Sequence, residues 1–332
     1  MRQSPASVQP APVQFDPPGR GRIYDSIVET IGNTPLVRIP RLAAAEGVVA
    51  DLLLKLEFFN PIASVKDRIG VNMVLGLERD GKIGPGSTLI EATSGNTGIG
   101  VAFAAAARGY RCIIVMSEAA SVERRKMMAY LGAELHLTPK ALGIQGSFDR
   151  AEELLREIPG AVMTRQFQNP DNPDIHRRTT AEEIWRDTAG GVDVVVSGIG
   201  TSGTFMGIAE ALKPRKPGLR MVAVEPALSP VLSGGTHQPH MIQGIGAGLV
   251  PDLLDRSLID EILTVTNEDA IGTARKLAAQ EGIPGGISSG AALDAAIRLG
   301  RRPEMAGRMV VVIIPSFAER YLSTPLFEGI GE

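Results

Sequence analysis

Apolar, strand-like runs that lead straight into glycine- and hydroxyl-rich turns constrain the fold of this chain more than any other feature. Residues 88–92, Thr-Leu-Ile-Glu-Ala, run into the turn Thr-Ser-Gly-Asn-Thr-Gly at 93–98, and an Ala-rich helical stretch follows at 99–108. The apolar run 192–196 likewise precedes a Gly/Ser/Thr-rich segment at 197–207. Such alternation of strands and helices predicts α/β layers. With 332 residues, 44% of them hydrophobic, the chain can bury two modest cores, so we expect two domains.

The turn at residues 93–98 is a candidate anion site. It ends a predicted strand and begins a predicted helix, so backbone N–H donors and side-chain hydroxyls converge there. The turn has no lysine and no Walker spacing, which makes a carboxylate a better ligand than a polyphosphate. An ordinary helix cap, in which the glycines only serve the turn, is the alternative for this segment.

The segment at 197–207 is a second candidate anion loop, and it contains a G-x-G-x-x-G match at 198–203. Glu225 ends the next apolar run at about the distance expected of a ribose-binding acid, so a dinucleotide-dependent dehydrogenase is an open alternative. Hydroxyls favour a terminal phosphate ester instead, because it carries more charge than a bridging pyrophosphate. The loop supplies three of them, from Thr201, Ser202 and Thr204.

Lys66 is the candidate nucleophile. The run 52–57 reads as a buried strand, Asn-Pro at 60–61 breaks it, and Ser64 with Asp67 forms a capping box that predicts a helix start. In a first helical turn, the positive end of the helix dipole disfavours the ammonium form, and burial in a cleft does the same. A lysine that is easily neutralised can attack a carbonyl and form a Schiff base. A solvated lysine in a helix cap is the alternative for this segment alone.

Taken in order, these segments and several others closely resemble the cysteine synthase (O-acetylserine sulfhydrylase) branch of the pyridoxal phosphate enzymes with the tryptophan synthase β fold, also called fold type II. The resemblance runs from about Ile23 to Phe327, which is nearly the whole chain. The matching segments are residues 31–36, 64–68, 93–98, 166–170, 244–248 and 319–324.

The resemblance implies two three-layer α/β/α domains with the cofactor cleft between them. The smaller, mobile N-terminal domain is expected at residues 48–162. The larger domain, which binds the cofactor phosphate, is expected to combine residues 22–47 with 163–332. Residues 1–21 are expected to form a disordered, Pro-rich tail, because they contain few large apolar groups.

The resemblance also implies the roles of individual residues at a pyridoxal 5'-phosphate site. Lys66 is expected to be the internal aldimine lysine, Asn96 to hydrogen-bond the ring hydroxyl of the cofactor, and Ser288 to face its pyridine nitrogen. The residues expected to hold the cofactor phosphate are Gly200, Thr201, Ser202, Gly203 and Thr204. Those expected to bind the carboxylate of the amino-acid substrate are Thr93, Ser94, Gly95, Thr97 and Gln166.

The implied reaction is a β-replacement in which O-acetyl-L-serine and sulfide give L-cysteine and acetate through an α-aminoacrylate. Lys66 is expected to remove the α-proton and later to return it. The hydroxyl of Ser288 cannot hold the pyridine nitrogen protonated as a carboxylate would, which favours prompt β-elimination. The expected partners are the two substrates, a second copy of the chain in a homodimer, and the C-terminal peptide of serine acetyltransferase.

Several residues depart from the usual pattern of the family and leave the second substrate open. Ser117 and Ala120 stand where Pro and Met are usual, Gln145 stands where Lys is common, Ser202 replaces a glycine, and His237-Gln238 replaces a Pro-Gly pair. None of these changes removes a catalytic group. The nearest alternative is a β-replacement enzyme that uses serine, O-phosphoserine or another nucleophile. Alternatives from other classes are the dehydrogenase and a non-catalytic partner of serine acetyltransferase.

Composition excludes other function classes. The net charge of −3, without a long basic run, gives no electrostatic footprint for nucleic acid. The single cysteine, Cys112, cannot form an internal disulfide, and the four histidines lack zinc-ligand spacing, so we expect no metal site. The N-terminal tail lacks the apolar core of a signal peptide, and no apolar run reaches transmembrane length. We therefore expect a cytoplasmic enzyme.

Overall fold

A computed structural model describes residues 20–331, which fold into an α/β structure, as predicted. Most of the predicted Pro-rich tail lies outside these residues. The strands are β1 (Leu36–Arg38), β2 (Asp51–Leu56), β3 (Thr88–Ala92), β4 (Arg111–Ser117), β5 (Glu134–Thr138), β6 (Ala161–Met163), β7 (Val194–Gly198), β8 (Arg220–Pro226), β9 (Glu261–Val265) and β10 (Met309–Ile314). The α-helices are α1 (Pro40–Ala45), α2 (Lys66–Arg79), α3 (Asn96–Arg108), α4 (Val122–Tyr130), α5 (Gly143–Glu157), α6 (Asp171–Ile175), α7 (Ala181–Asp187), α8 (Gly203–Leu212), α9 (Asn267–Glu281) and α10 (Ile287–Gly300).

The strands form two sheets. The six-stranded sheet has the order β1-β2-β10-β7-β8-β9 and is parallel except for β1, and the four-stranded sheet has the parallel order β5-β4-β3-β6. Strand β2 pairs within the six-stranded sheet, although the expected domain division, which starts the smaller domain at residue 48, assigns it to that domain. The division itself stays a prediction.

Both sheets are buried on their two faces, which explains why their strands read as continuous apolar runs. In β10, Val310 and Val312 pack into one hydrophobic cluster while Val311 packs into another on the opposite face. In β4, Ile114 and Ile113 divide in the same way between two clusters around the four-stranded sheet. Each sheet therefore lies between two apolar layers.

The local predictions around the turns hold with shifts of a few residues. Strand β3 occupies the predicted 88–92, whereas α3 begins at Asn96, within the turn. Helix α2 begins at Lys66 as predicted. The Ser64 hydroxyl accepts a hydrogen bond from the Lys66 N–H (3.2 Å), and the Asp67 carboxylate accepts one from the Ser64 N–H (3.5 Å). These contacts resemble a capping box but are shifted by one residue, because the Ser64 hydroxyl accepts from Lys66 and not from Asp67, and the N-cap is Val65.

Helices α2 and α3 meet backbone to backbone at Gly70 and Gly100. A Cβ added at Gly70 would lie 2.4 Å from the carbonyl carbon of Gly100, and one added at Gly100 would lie 2.5 Å from the carbonyl oxygen of Lys66. Only glycine permits this approach, since a side chain at either position would collide with backbone. The contact holds the first residue of α2 directly against α3.

A buried cluster of charged side chains ties α2 to β2 and α7. Arg68 is fully buried; its Nε donates to Glu57 Oε2 (2.7 Å), and its Nη2 donates to Glu183 Oε2 (2.8 Å). Lys55 Nζ lies 2.8 Å from the same Glu183 oxygen, so two cations face two anions. Burial opposes ionisation of Glu183, but the hydrogen bonds and charge of Arg68 hold the pKa of that carboxyl well below its usual range.

The glycine contact predicts a specific loss of stability. Gly100→Ala should lower the free energy of unfolding by about 1–3 kcal/mol, because backbone atoms of α2 have to move to admit the methyl group. Gly272→Ala is the matched control, since Gly272 is also helical but has no atom within 4 Å of an added Cβ. The control should gain up to about 1 kcal/mol from helix propensity. Urea denaturation measures both changes, and an equal response of the two variants would contradict the contact.

The buried charge cluster predicts a larger effect. Arg68→Met should cost about 3–5 kcal/mol of unfolding free energy, because it leaves two buried carboxylates with one lysine. Arg111→Met removes an exposed ion pair with Glu134 and serves as the control, with an expected cost below about 1 kcal/mol. The same denaturation experiment compares them. A cost for Arg68→Met no larger than that for Arg111→Met would show that the cluster does not stabilise the fold.

Candidate active site

A cavity of about 500 Å³ lies where the carboxyl ends of strands from both sheets meet. Ala92 at the end of β3, Ser117 at the end of β4 and Gly198 at the end of β7 all line it. The structure also places every predicted site residue on its wall. These residues are Lys66, Thr93, Ser94, Gly95, Asn96, Thr97, Gln166, Gly200, Thr201, Ser202, Gly203, Thr204 and Ser288. The carboxyl ends of parallel strands are the usual place for ligands in α/β folds. What each residue binds stays a prediction.

Lys66 reaches this cavity from the first turn of α2. Burial lowers the pKa of the Lys66 amine to about 8. Of the two causes that the sequence suggested, the helix dipole and a dry cleft, burial in the cleft is the one that the structure supports. Near neutral pH, a larger fraction of this amine is uncharged than of an ordinary lysine. The side chain is therefore suited to nucleophilic attack on a carbonyl and to proton transfer.

The loop between β7 and α8 has the features of an anion cradle. Ser202 has a left-handed backbone (φ 67°), and its hydroxyl is buried with no hydrogen-bond partner among residues 20–331. A Cβ at Gly200 would lie 2.4 Å from the carbonyl oxygen of Gly244, and one at Gly203 would overlap the side chain of Asn172. The ten-residue helix α8 begins at Gly203 and directs its free N–H groups into the same loop. An unpaired hydroxyl at a helix N-terminus fits a phosphate group.

The turn before α3 is coupled to a polar chain on the cavity wall. Thr97 Oγ1 donates to Gln166 Oε1 (2.6 Å), and Gln166 Nε2 donates to Glu91 Oε1 (3.2 Å). Glu91 also accepts a hydrogen bond from the Arg165 N–H (2.9 Å). Burial raises the pKa of the Glu91 carboxyl to about 7, although these hydrogen bonds oppose the rise. A helix N-terminus flanked by hydroxyl and amide groups fits a carboxylate ligand.

Asn96, the first residue of α3, and Ser288, in α10, both line the cavity. Asn96 Oδ1 accepts a hydrogen bond from Arg320 Nη1 (2.8 Å), which leaves Asn96 Nδ2 as a donor. Ser288 is the second residue of α10 and is buried, and a Cβ at Gly244 would lie 3.9 Å from its hydroxyl. The backbone at Gly244 therefore passes close to Ser288, as expected for a wall that holds a flat ligand.

Several residues at this site received no role from the sequence, and four of them are charged or carry an imidazole. Arg124 is buried and donates to Gln243 Oε1 (2.5 Å). His237 lines the cavity, and Arg320 and Glu91 contact residues that do so. A signal existed for Glu91, because a charged residue inside an apolar strand-like run rarely lacks a buried partner. Arg320 lies in the matching segment 319–324, and Arg124 lies outside the matching segments but within the overall resemblance from Ile23 to Phe327.

The structure corrects one alternative role. Glu225, considered as a ribose-binding acid, is buried and accepts hydrogen bonds from the backbone N–H groups of Leu232 (2.8 Å) and Ser233 (3.0 Å). It does not line the cavity. Its carboxylate is occupied in holding the following loop, so the acid that a dinucleotide site needs is missing. Within residues 20–331, no group of three or more His, Cys, Asp and Glu side chains is arranged to hold a metal ion.

Comparison with known proteins gives consistent matches over most of the chain. The profile of the family described as "Pyridoxal-phosphate dependent enzyme" matches residues 27–316. The chain is 50% identical to the cysteine synthase of Haemophilus influenzae over 93% of its length and 99% of that protein. It is 47% identical to cysteine synthase A of Escherichia coli over 93% of its length and 97% of the relative.

Solved structures give the same picture. A cysteine synthase from Entamoeba histolytica superposes with a TM-score of 0.93 at 45% identity, covering 97% of this chain and 95% of that one. An O-ureido-L-serine synthase superposes with a TM-score of 0.89 at 44% identity, covering 94% and 97% of the two chains. The overall fold, with its two sheets, is therefore shared with these proteins.

The lowered pKa predicts selective modification of Lys66. In protein freed of bound small molecules, reductive methylation with formaldehyde should modify Lys66 faster than Lys126, which is exposed on α4. The Lys66 rate should rise with pH as the ammonium loses its proton, and it should level off above about 8. Peptide mass spectrometry of samples taken over time measures both rates. Equal rates for the two lysines at pH 7 would contradict the assignment.

Proposed function

The chain belongs to the pyridoxal-phosphate dependent enzyme family and to its cysteine synthase branch, and we propose that it forms L-cysteine and acetate from O-acetyl-L-serine and sulfide. It is an enzyme, its cofactor is pyridoxal phosphate, and its fold is the predicted fold type II. The single observation that carries the proposal is one cavity that combines an easily neutralised lysine with two helix N-termini suited to anions.

The cavity fits pyridoxal phosphate by the chemistry of its donors. The loop at 200–204 offers the unpaired Ser202 hydroxyl and the N-terminus of α8 to the phosphate. The Lys66 amine suits the aldehyde, and Asn96 Nδ2 suits the ring oxygen because Asn96 Oδ1 is taken by Arg320. When bound, the cofactor supplies an electron sink that acidifies the α-hydrogen of an amino acid and eases departure of a β-substituent.

The amino-acid substrate is proposed to bind at the anion site formed by the turn at residues 93–98. Its carboxylate is proposed to lie at the N-terminus of α3, where Thr93, Ser94, Gly95 and Thr97 surround free backbone N–H groups and Gln166 flanks them. Binding there orients the α-hydrogen and the acetoxy group in a site partly closed to water. Orientation of this kind lowers the barrier by removing the entropy cost of bringing the groups together.

Lys66 is proposed to carry the proton. With a pKa of about 8, its amine can accept the α-proton of the substrate near neutral pH and can return it when product forms. The bond from the β-carbon to the acetoxy oxygen breaks, acetate leaves, and hydrosulfide forms the new carbon–sulfur bond. Ser288 is proposed to face the cofactor ring, where its neutral hydroxyl does not enforce protonation of the ring nitrogen as a carboxylate would.

The choice of nucleophile is proposed to depend on the residues that depart from the family pattern. Ser117, Ala120 and His237 all line the cavity, so they share a wall with the substrate. Short side chains at 117 and 120 leave room beside the amino-acid site. One structural neighbour is named for O-ureido-L-serine, so related proteins do differ in nucleophile. Sulfide is favoured here because the cysteine synthases match most of the chain at up to 50% identity.

The proposal also covers the oligomeric state of the protein, its cellular location and a peptide ligand. We propose a homodimer that works in the cytoplasm, on the resemblance to the family and on the single cysteine of the chain. The C-terminal carboxylate of a serine acetyltransferase peptide is a further proposed ligand, because the turn before α3 suits any carboxylate. Within residues 20–331, no helix has both the length and the apolar character needed to cross a membrane.

The enzymatic proposal is tested by Lys66→Ala in the purified protein supplied with pyridoxal phosphate. Cysteine formation from O-acetylserine and sulfide should fall at least about a hundredfold, because the proton carrier is lost. Lys126→Ala, on the exposed face of α4, is the matched control and should keep wild-type activity. Mass spectrometry of the products also shows whether another nucleophile competes with sulfide. Near-normal cysteine formation by Lys66→Ala, or none by the wild type, would falsify the proposal.

A further inference from the structure

Glu91 is a buried carboxylate one contact behind the cavity wall. It lies in β3, is 1% exposed, and does not line the cavity. Its Oε2 accepts hydrogen bonds from the Thr164 hydroxyl and from the Arg165 N–H, and both donors lie in the segment that follows β6. Its Oε1 accepts from Gln166 Nε2. One oxygen therefore contacts Thr164 and Arg165, and the other contacts the side chain of the next residue, Gln166.

The charge of Glu91 sets the direction of the polar chain. All three hydrogen bonds to Glu91 run from a donor to one of its oxygens, which is the pattern of an ionised carboxylate, and Gln166 turns its amide nitrogen towards it. The amide oxygen then faces Thr97, whose hydroxyl donates to it at 2.6 Å. The nitrogen carries two hydrogens and Glu91 takes one of them, so the second is available to a ligand in the cavity. With the opposite orientation, an oxygen would replace this donor.

Burying a carboxylate is costly, and the cost calls for a function. The pKa of Glu91 is raised by burial, which means that its surroundings disfavour the charge. A glutamine of nearly the same volume could accept the bonds from Thr164 and Arg165 without that cost. What it could not do is present an acceptor to Gln166 at the same time, because its second atom is a donor.

We propose that Glu91 is a positioning residue for the amino-acid substrate, which it serves by holding the Gln166 amide with a nitrogen hydrogen directed to the substrate carboxylate. The inference rests on the proposed function, in which Gln166 contacts that carboxylate. Glu91 itself touches neither substrate nor cofactor. Its effect therefore belongs to substrate binding and not to proton transfer by Lys66.

The test is Glu91→Gln in the enzyme loaded with cofactor. The introduced glutamine has to turn its amide oxygen towards the donors on Thr164 and Arg165, so its amide nitrogen faces the Gln166 nitrogen. Because two donors cannot bond to each other, the Gln166 amide rotates by half a turn and presents its oxygen instead. The dissociation constant of L-alanine, an amino acid without a leaving group, should rise about ten-fold or more, because a hydrogen bond to a charged group is lost. Visible absorption of the enzyme reports the binding. The kcat at saturating O-acetylserine should change by less than about three-fold, because Lys66 is untouched.

A double-mutant cycle separates positioning from a structural role. In a Gln166→Ala background, Glu91→Gln should have no further effect on the L-alanine dissociation constant, because the amide it orients is gone. Thr164→Val is the matched control, since it removes a bond to the other oxygen of the same carboxylate. It should lower the thermal midpoint and leave the dissociation constant within about two-fold, because the Arg165 N–H still holds Oε2 and Oε1 keeps its contact with Gln166.

Glu91→Asp covers the case in which Glu91→Gln folds poorly. Aspartate keeps the charge but is one methylene shorter, so the contact with Gln166 lengthens and the dissociation constant should rise by a smaller factor. An unchanged constant in the folded variant overturns the inference, as does an equal effect of Glu91→Gln with and without the Gln166 side chain. Failure of the proposed function gives a different result. The wild type would then form no cysteine, while its L-alanine dissociation constant would still depend on Glu91.

Discussion

Arg68 is fully buried, and its guanidinium contacts two carboxylates from different parts of the fold, Glu57 after β2 and Glu183 on α7. A buried cation that loses a partner costs several kcal/mol, so these elements are held in one relative position. Lys66 lies two residues before Arg68, in the same turn of α2. The direction in which the lysine enters the cavity therefore depends on the ion cluster. The glycine contact between α2 and α3 then brings the turn at residues 93–98 close to that lysine.

Charged residues behind the cavity also determine how its neutral amides point. Arg320 can only donate hydrogen bonds, so Asn96 turns its oxygen towards it and keeps its nitrogen as a donor. Glu91 accepts from every one of its three partners, and Gln166 turns its nitrogen towards it. An amide alone would be free to present either end, because its two ends are nearly equal in size. Both neighbours remove that freedom before a ligand arrives, which is the sense in which the site is preorganised.

Much of the local structure was predictable, and the errors have physical causes. Strand β3 and the start of α2 at Lys66 follow from apolar runs and turn chemistry, which act over a few residues. The alternative in which Glu225 binds a ribose is not favoured, because a matching distance in sequence says nothing about which groups fold back onto the carboxylate. Strand β2 joins the larger sheet by pairing with β10, more than 250 residues later, and no local pattern carries that information.

The sequence by itself determined the alternation of strands and helices, the helix N-termini that suit anions, and the place of Lys66 in the first turn of α2. These features are local, since hydrophobic period, caps and glycine turns operate between near neighbours. Only the tertiary structure decided the partners: Arg68 with Glu183 across 115 residues, Gln166 with Glu91 across 75, and Asn96 with Arg320 across 224. Burial then shifted the pKa of Lys66 and of Glu91. The reason is that desolvation and hydrogen-bond direction depend on which distant groups surround a side chain, and folding alone brings them there.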